Sequence, residues 1–192
     1  MDLTVISGVP GVGTSEVCER ARRSLGEGYE LVNFGDVMLE QAAAQGLIGR
    51  RDEIPTLPLR DLELLQRRAG EYVAERTRGR QVLLNTQLVV ATTHGYVPGL
   101  PEPALTDVDP DRFVLVEADP EVVASRREES EYRTYRESGV RSIGFHQELL
   151  RSAAMAHATD RRVPIRLIEN TADAEDAAAD LAAIVSEADP RS

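Results

Sequence analysis

Gly8-Val9-Pro10-Gly11-Val12-Gly13-Thr14-Ser15 follows the apolar run Leu3–Ile6 and precedes a stretch in which Val17, Ala21 and Leu25 recur every four residues. A strand feeding a glycine-rich turn into an amphipathic helix is the setting of a phosphate cradle. In the pattern G-x-x-x-x-G-K-[ST], loop N–H groups surround phosphate oxygens, lysine reaches the outer ones and Ser/Thr binds magnesium. Gly8, Gly11, Gly13 and Ser15 fit, but Thr14 stands where the lysine belongs. A bare strand-to-helix turn also needs glycine. The glycine spacing, Ser15 and the βα context together favour phosphate binding. The missing lysine bears more on catalytic rate than on binding, because backbone donors and the helix dipole remain.

Strand and helix signals alternate outward from this loop. Tyr29–Phe34 reads as a second strand and Gly35–Gln45 as a helix. A breaker-rich connection (Gly46–Pro58) leads to a long amphipathic helix at Leu59–Arg78. Gln81–Thr86 carries the apolar core Val82-Leu83-Leu84 of a strand buried on both faces, ending in polar Asn85-Thr86-Gln87. Leu88–Pro110, with four prolines, reads as irregular, and a connection of that length is usually functional. Arg112–Ala118 and Val163–Ile168 supply two more strands; helices are expected from Asp119-Pro120, at Ser142–Thr159 and at Thr171–Ser186. This order predicts an α/β fold with a five-stranded parallel sheet flanked by helices.

The 192 residues suit one domain, long enough to bury roughly 70% of the unfolded chain's surface. The net charge of −11 would repel nucleic-acid backbones. All 22 basic residues are arginine, a bias that fits either a high-salt cytoplasm or an arginine-rich codon usage. One cysteine, Cys18, rules out an internal disulfide, and no apolar run approaches the ~18 residues of a membrane span. The expectation is a cytoplasmic protein with no membrane and no nucleic-acid partner.

Phosphoryl transfer needs positive charge around the moving group. The segment Arg126–Arg141, which interleaves Arg126, Arg127, Arg133, Arg136 and Arg141 with glutamates, is the reservoir at hand, although mixed charge also suits a solvated helix face. Asn85, at a strand's carboxyl end, falls where open parallel sheets hold ligands. His94, His146 and His157 show no metal-ligand spacing.

Six stretches together resemble the archaeal-type adenylate kinases over most of the chain: Gly8–Gly13, Asn33-Phe34-Gly35-Asp36-Val37-Met38, Arg51-Asp52, Gly95-Tyr96-Val97-Pro98-Gly99-Leu100-Pro101, Arg126-Arg127, and His146-Gln147 with Arg151 and Ala153-Ala154-Met155. The resemblance implies a P-loop kinase fold with a small arginine-rich lid at 126–141 and an AMP-binding region at 29–80, in one domain spanning 1–192. It implies transfer of the terminal phosphoryl of ATP to AMP, with magnesium, in a homo-oligomer that is often a trimer. Gly8, Val9, Pro10, Gly11, Val12, Gly13, Thr14 and Ser15 would hold ATP; Phe34, Gly35, Arg51, Gly95 and Tyr96 would bind AMP. Arg126, Arg133 and Arg136 would be the catalytic cations, with Arg151 nearby. Ser15, and Asn85 through a water, would hold the metal. Three positions depart from the family pattern: Thr14, Asn85 in place of a strand-end aspartate, and Pro55 in place of a basic residue. Another acceptor, or a nucleotide-binding protein with weakened catalysis, are the alternatives.

Overall fold

A computed structural model describes residues 2–129 and 139–187. In chain order, β1 (Asp2–Ser7) leads to α1 (Thr14–Leu25), β2 (Tyr29–Asn33) and α2 (Phe34–Ala44). A 3-10 helix (Arg51–Thr56) then precedes α3 (Leu59–Arg76) and β3 (Gln81–Thr86). Next come β4 (Val89–Thr92), β5 (Gly95–Pro98), α4 (Glu102–Val108), β6 (Arg112–Glu117) and α5 (Pro120–Glu129). The last described elements are α6 (Val140–Arg161), β7 (Ile165–Glu169) and α7 (Ala174–Ser186).

The five expected strands form one parallel sheet in the order β2-β3-β1-β6-β7. Their apolar runs are the reason. Leu3, Val5, Val82, Leu83, Leu84, Phe113 and Val114 are almost completely buried, because helices cover both faces. Each such side chain contributes roughly 1.5–3 kcal/mol of hydrophobic free energy. Cys18 lies in the same core, where burial pushes its thiol pKa up to about 12, as befits a small apolar residue.

The register aligns the carboxyl ends: Ser7 lies opposite Thr86 and Asn33 opposite Asn85. With β3 on one side of β1 and β6 on the other, the chain changes direction beside β1, so a crevice opens at the carboxyl edge between oppositely directed crossovers. The glycine loop leaves β1 at that edge.

The expectation that Leu88–Pro110 is irregular is overturned. β4 and β5 pair as an antiparallel hairpin, with Val90 opposite Val97 and Thr92 opposite Gly95, and α4 follows. The prolines that suggested irregular structure sit where an N–H is dispensable: Pro98 ends β5, and Pro103 lies in the first turn of α4. The connection before α3 likewise contains the 3-10 helix, with Pro55 inside it. Of the expected lid, Arg126, Arg127 and Arg141 are described; Arg133 and Arg136 lie outside the described residues. Among the described residues no helix is long and apolar enough to cross a membrane.

Candidate functional site

The glycine loop is anchored by what it buries. Val9 and Val12 are in the core, and the Val12 N–H donates to the Val9 carbonyl at 3.1 Å, closing a tight turn. Gly13 has φ +94°, in the left-handed region where L side chains are strained, and α1 begins immediately after it. A Cβ on Gly13 would also lie 2.6 Å from the Asn170 Nδ2. Thr14 Oγ1 is buried and has no hydrogen-bond partner among the described residues. It points toward Gly8, whose hypothetical Cβ would lie 2.6 Å away. Thr14 therefore packs the loop and adds no charge to it.

Ser15 is exposed on the first turn of α1, and Asn85 is buried at the end of β3. The Asn85 Nδ2 donates to Ser15 Oγ at 3.1 Å, so the two residues expected to meet at the metal are in contact. Both line a cleft of roughly 300 Å³ that also takes in Asn33, Asp36 and Tyr72.

The residues expected to bind AMP begin at that cleft's other wall. Arg51 donates to Asp36 Oδ1 at 2.7 Å and to Asn33 Oδ1 at 2.9 Å. Its guanidinium lies flat against Gly35, where a Cβ would come within 2.6 Å of Nη2. Phe34 differs from the expectation in one respect: the whole residue is only 1% exposed and its ring belongs to the core, so it supports this wall from beneath. Gly95 closes the hairpin turn, and Tyr96 beside it packs edge-on against His146 at 4.9 Å and Phe145 at 5.6 Å between ring centroids. The Thr93 N–H donates to the Pro55 carbonyl at 3.2 Å, tying the hairpin to the 3-10 helix that carries Arg51. Arg51 and Tyr96 thus stand on connected elements.

His146 holds the other side of the hairpin, with Nε2 donating to the Val89 carbonyl at 2.9 Å. Burial lowers its pKa; the Val89 bond opposes that shift and the Arg127 charge adds to it. In the unfolded chain the imidazole takes up a proton near pH 6.5, whereas the folded chain resists. Stability is therefore full above about pH 6.5 and falls as pH drops through that value toward the lower folded pKa, by up to about 1.4 kcal/mol per pH unit. Half-buried His157 is shifted in the same direction, chiefly by burial. Urea midpoints measured from pH 7.5 to 5.5 should fall, and His146→Gln should flatten the slope. A midpoint unchanged across that window would mean that neither imidazole is protected.

Among the described residues, Arg126, Arg127 and Arg151 are each engaged with backbone carbonyls or a carboxylate. Arg127, 8% exposed, donates through Nε to the Pro10 carbonyl at 2.7 Å. Arg126 donates to the carbonyls of Asn170 at 2.8 Å, Val12 at 3.3 Å and Thr171 at 3.4 Å. Arg151 grips Glu117 with two nitrogens, one at 2.7 Å, so Glu117 is an ion-pair partner in this arrangement. Sequence reasoning missed Asn170. It is buried at the end of β7, and its Nδ2 donates to the Val12 carbonyl at 2.7 Å. The signal available was the one that singled out Asn85, an amide at a strand's carboxyl end.

The AAA domain family matches residues 7–144. The chain is 41% identical over 171 residues to an adenylate kinase of Methanopyrus kandleri, covering 88% of this chain and 89% of that one. It is 37% identical over 170 residues to an adenylate kinase of Methanothermobacter thermautotrophicus (88% and 91% covered). With an adenylate kinase of Pyrococcus abyssi it shares 35% identity over 171 residues (89% and 87% covered). Among solved structures, shikimate kinase from Bacteroides thetaiotaomicron superposes with a TM-score of 0.60 at 15% identity, covering 97% of this chain and 99% of that one, a likeness of fold.

Proposed function

The chain belongs to the adenylate kinase family, and from that premise we infer that it moves the terminal phosphoryl group of ATP reversibly to AMP, giving two ADP. The observation that carries this reading is the cleft that joins Ser15 and Asn85 to Asn33 and Asp36. It joins Ser15 at the glycine loop to Asn33 and Asp36, the two residues to which Arg51 donates, and this supports Arg51 as the residue that takes the AMP phosphate. The loop N–H groups and the start of α1 hold the ATP phosphates. Arg51 exchanges its Asp36 and Asn33 contacts for the AMP phosphate. The exposed Arg51–Asp36 pair costs little to open, since such pairs are worth about 0–1 kcal/mol. In the transfer, an oxygen of the AMP phosphate forms the new bond to the γ-phosphorus as the bond to the β–γ bridging oxygen breaks. Positioning in line supplies much of the rate. Arg133 and Arg136 are assigned to the lid and to the charge on the moving group.

Magnesium suits the donor set. Ser15 offers a hydroxyl oxygen, and the adjacent Asn85 amide can hydrogen-bond a metal-held water, the sparse protein ligation that magnesium prefers alongside substrate phosphates. When bound with ATP, magnesium neutralises phosphate charge. Asn85 supplies no charge of its own, so Asn85→Asp should lower the magnesium concentration for half-maximal activity roughly two- to fivefold, the effect of one charge in a solvated cleft. An unchanged magnesium titration would remove Asn85 from the metal's surroundings.

The same reading takes in a cytoplasmic homo-oligomer, a trimer by resemblance, working in concentrated salt. The support for salt adaptation is the acidic, lysine-free composition. The deciding experiment supplies ATP, magnesium and each nucleoside monophosphate in turn, in molar salt, and measures diphosphate formed. AMP-selective turnover supports the proposal. Turnover with another acceptor, or tight ATP binding without turnover, would overturn it.

A further inference from the structure

We propose that Arg127, Arg126 and Asn170 are positioning residues that brace the phosphate loop from its carbonyl side and supply the fixed positive charge that Thr14 does not. The loop presents two carbonyls, Pro10 and Val12, to side chains from distant parts of the chain. Arg127 Nε takes the first at 2.7 Å; Asn170 Nδ2 at 2.7 Å and Arg126 Nη1 at 3.3 Å take the second. The peptide unit is planar, and in its trans form the N–H points opposite the C=O. No cis peptide occurs among the described residues. Holding the Pro10 carbonyl therefore turns the Gly11 N–H to the opposite face of the loop, and holding the Val12 carbonyl does the same for the Gly13 N–H. Those are the loop's two glycines with positive φ, +88° and +94°. Alternate peptides are thus fixed with their donors toward the side away from the brace, where a phosphate is received.

The brace is tightly fitted. The Arg127 stem packs on Gly11, whose hypothetical Cβ would be 2.8 Å from Arg127 Cγ. Asn170 is itself held, its N–H donating to the Glu117 carbonyl at 2.7 Å and its own carbonyl receiving Arg126 at 2.8 Å. Electrostatics follow from the same contacts. A guanidinium against a peptide oxygen polarises that peptide and leaves its N–H a stronger donor, so positive charge reaches the phosphate through the backbone. A lysine at position 14 would act as a point charge from the front; here the charge lies behind the peptide plane.

This inference rests on the reading of the loop as the ATP-phosphate site, and it is tested without turnover. Isothermal titration of the protein with inorganic tripolyphosphate gives the loop's own affinity. Arg127→Met keeps the stem on Gly11 but removes the donor and the charge. It should weaken tripolyphosphate roughly 10- to 100-fold, the range of a charge-assisted hydrogen bond, and Arg127→Lys should recover most of that loss. Arg126→Gln should weaken it less. If the variants turn over, KM for ATP should rise while KM for AMP stays near its original value. In the unaltered protein, amide resonances of Gly11 and Gly13 should show the largest shifts on adding tripolyphosphate. Equal affinity in Arg127→Met, equal weakening of ATP and AMP, or unmoved Gly11 and Gly13 amides would each overturn the brace. A folded protein that binds tripolyphosphate through those amides yet has no AMP activity would leave the brace standing and refute the kinase reading instead.

Discussion

Gly13→Ala is expected to abolish measurable ATP binding and to cost about 3 kcal/mol of stability. Two penalties combine. A left-handed backbone conformation costs an L residue roughly 1–2 kcal/mol, and Gly13 holds φ +94°. The added methyl group would also lie 2.6 Å from Asn170 Nδ2, a buried group engaged with the Val12 carbonyl, so relief requires breaking that bond. Gly46 provides the control: its φ is +68°, but a Cβ there meets nothing within 4 Å. Gly46→Ala should show only the conformational cost and unchanged nucleotide affinity. Calorimetric unfolding and an ATP titration of both variants would measure the difference. A G13A protein that binds ATP like the original would show that neither the conformation nor the Asn170 contact shapes the phosphate site.

Gly99→Ala should destabilise the fold by a similar amount, about 3 kcal/mol, for a purely steric reason. A Cβ at Gly99 would fall 1.9 Å from the Gln87 carbonyl oxygen and 2.8 Å from Val90 Cγ2. The Gln87 oxygen is backbone and cannot rotate away. Gly99 is also held in place, its N–H donating to the Leu88 carbonyl at 2.9 Å while buried Gln66 donates to the carbonyls of Pro98 at 2.8 Å and Gly99 at 3.3 Å. Movement must therefore pry β4 and β5 from α3, carrying Tyr96 with them. KM for AMP should rise in whatever fraction remains folded, with KM for ATP little changed. An unshifted urea midpoint would show that the hairpin base can open freely.

The sheet was legible because its strands are continuous apolar runs such as Val82-Leu83-Leu84, which only burial on both faces explains. The loop was legible because its chemistry is local: glycines, a serine and the strand before them lie within one short stretch. The β4–β5 hairpin was not. Its strands are four residues each and half-exposed, so their periodicity is too brief to outweigh the prolines around them. Arg126 and Arg127 could be read as charges near a phosphate site. Which side of the loop they take depends on α5, and nothing in their spacing conveys it. Phe34 lay in the right motif with its ring turned inward. Asn170 escaped because its partner, Val12, is 158 positions away; contacts of that span arise from topology and leave no trace in local composition.

That span orders events during synthesis. The strand and helix on either side of the loop leave the ribosome well before the amide that holds the Val12 carbonyl, which belongs to the turn after β7. Long-range closures of this kind form late, after their loop-closure entropy has been met. A nascent chain that stops short of β7 would carry the whole glycine motif and still lack a rigid phosphate site. Tight nucleotide binding thus waits for β7, however early the glycine motif itself is made.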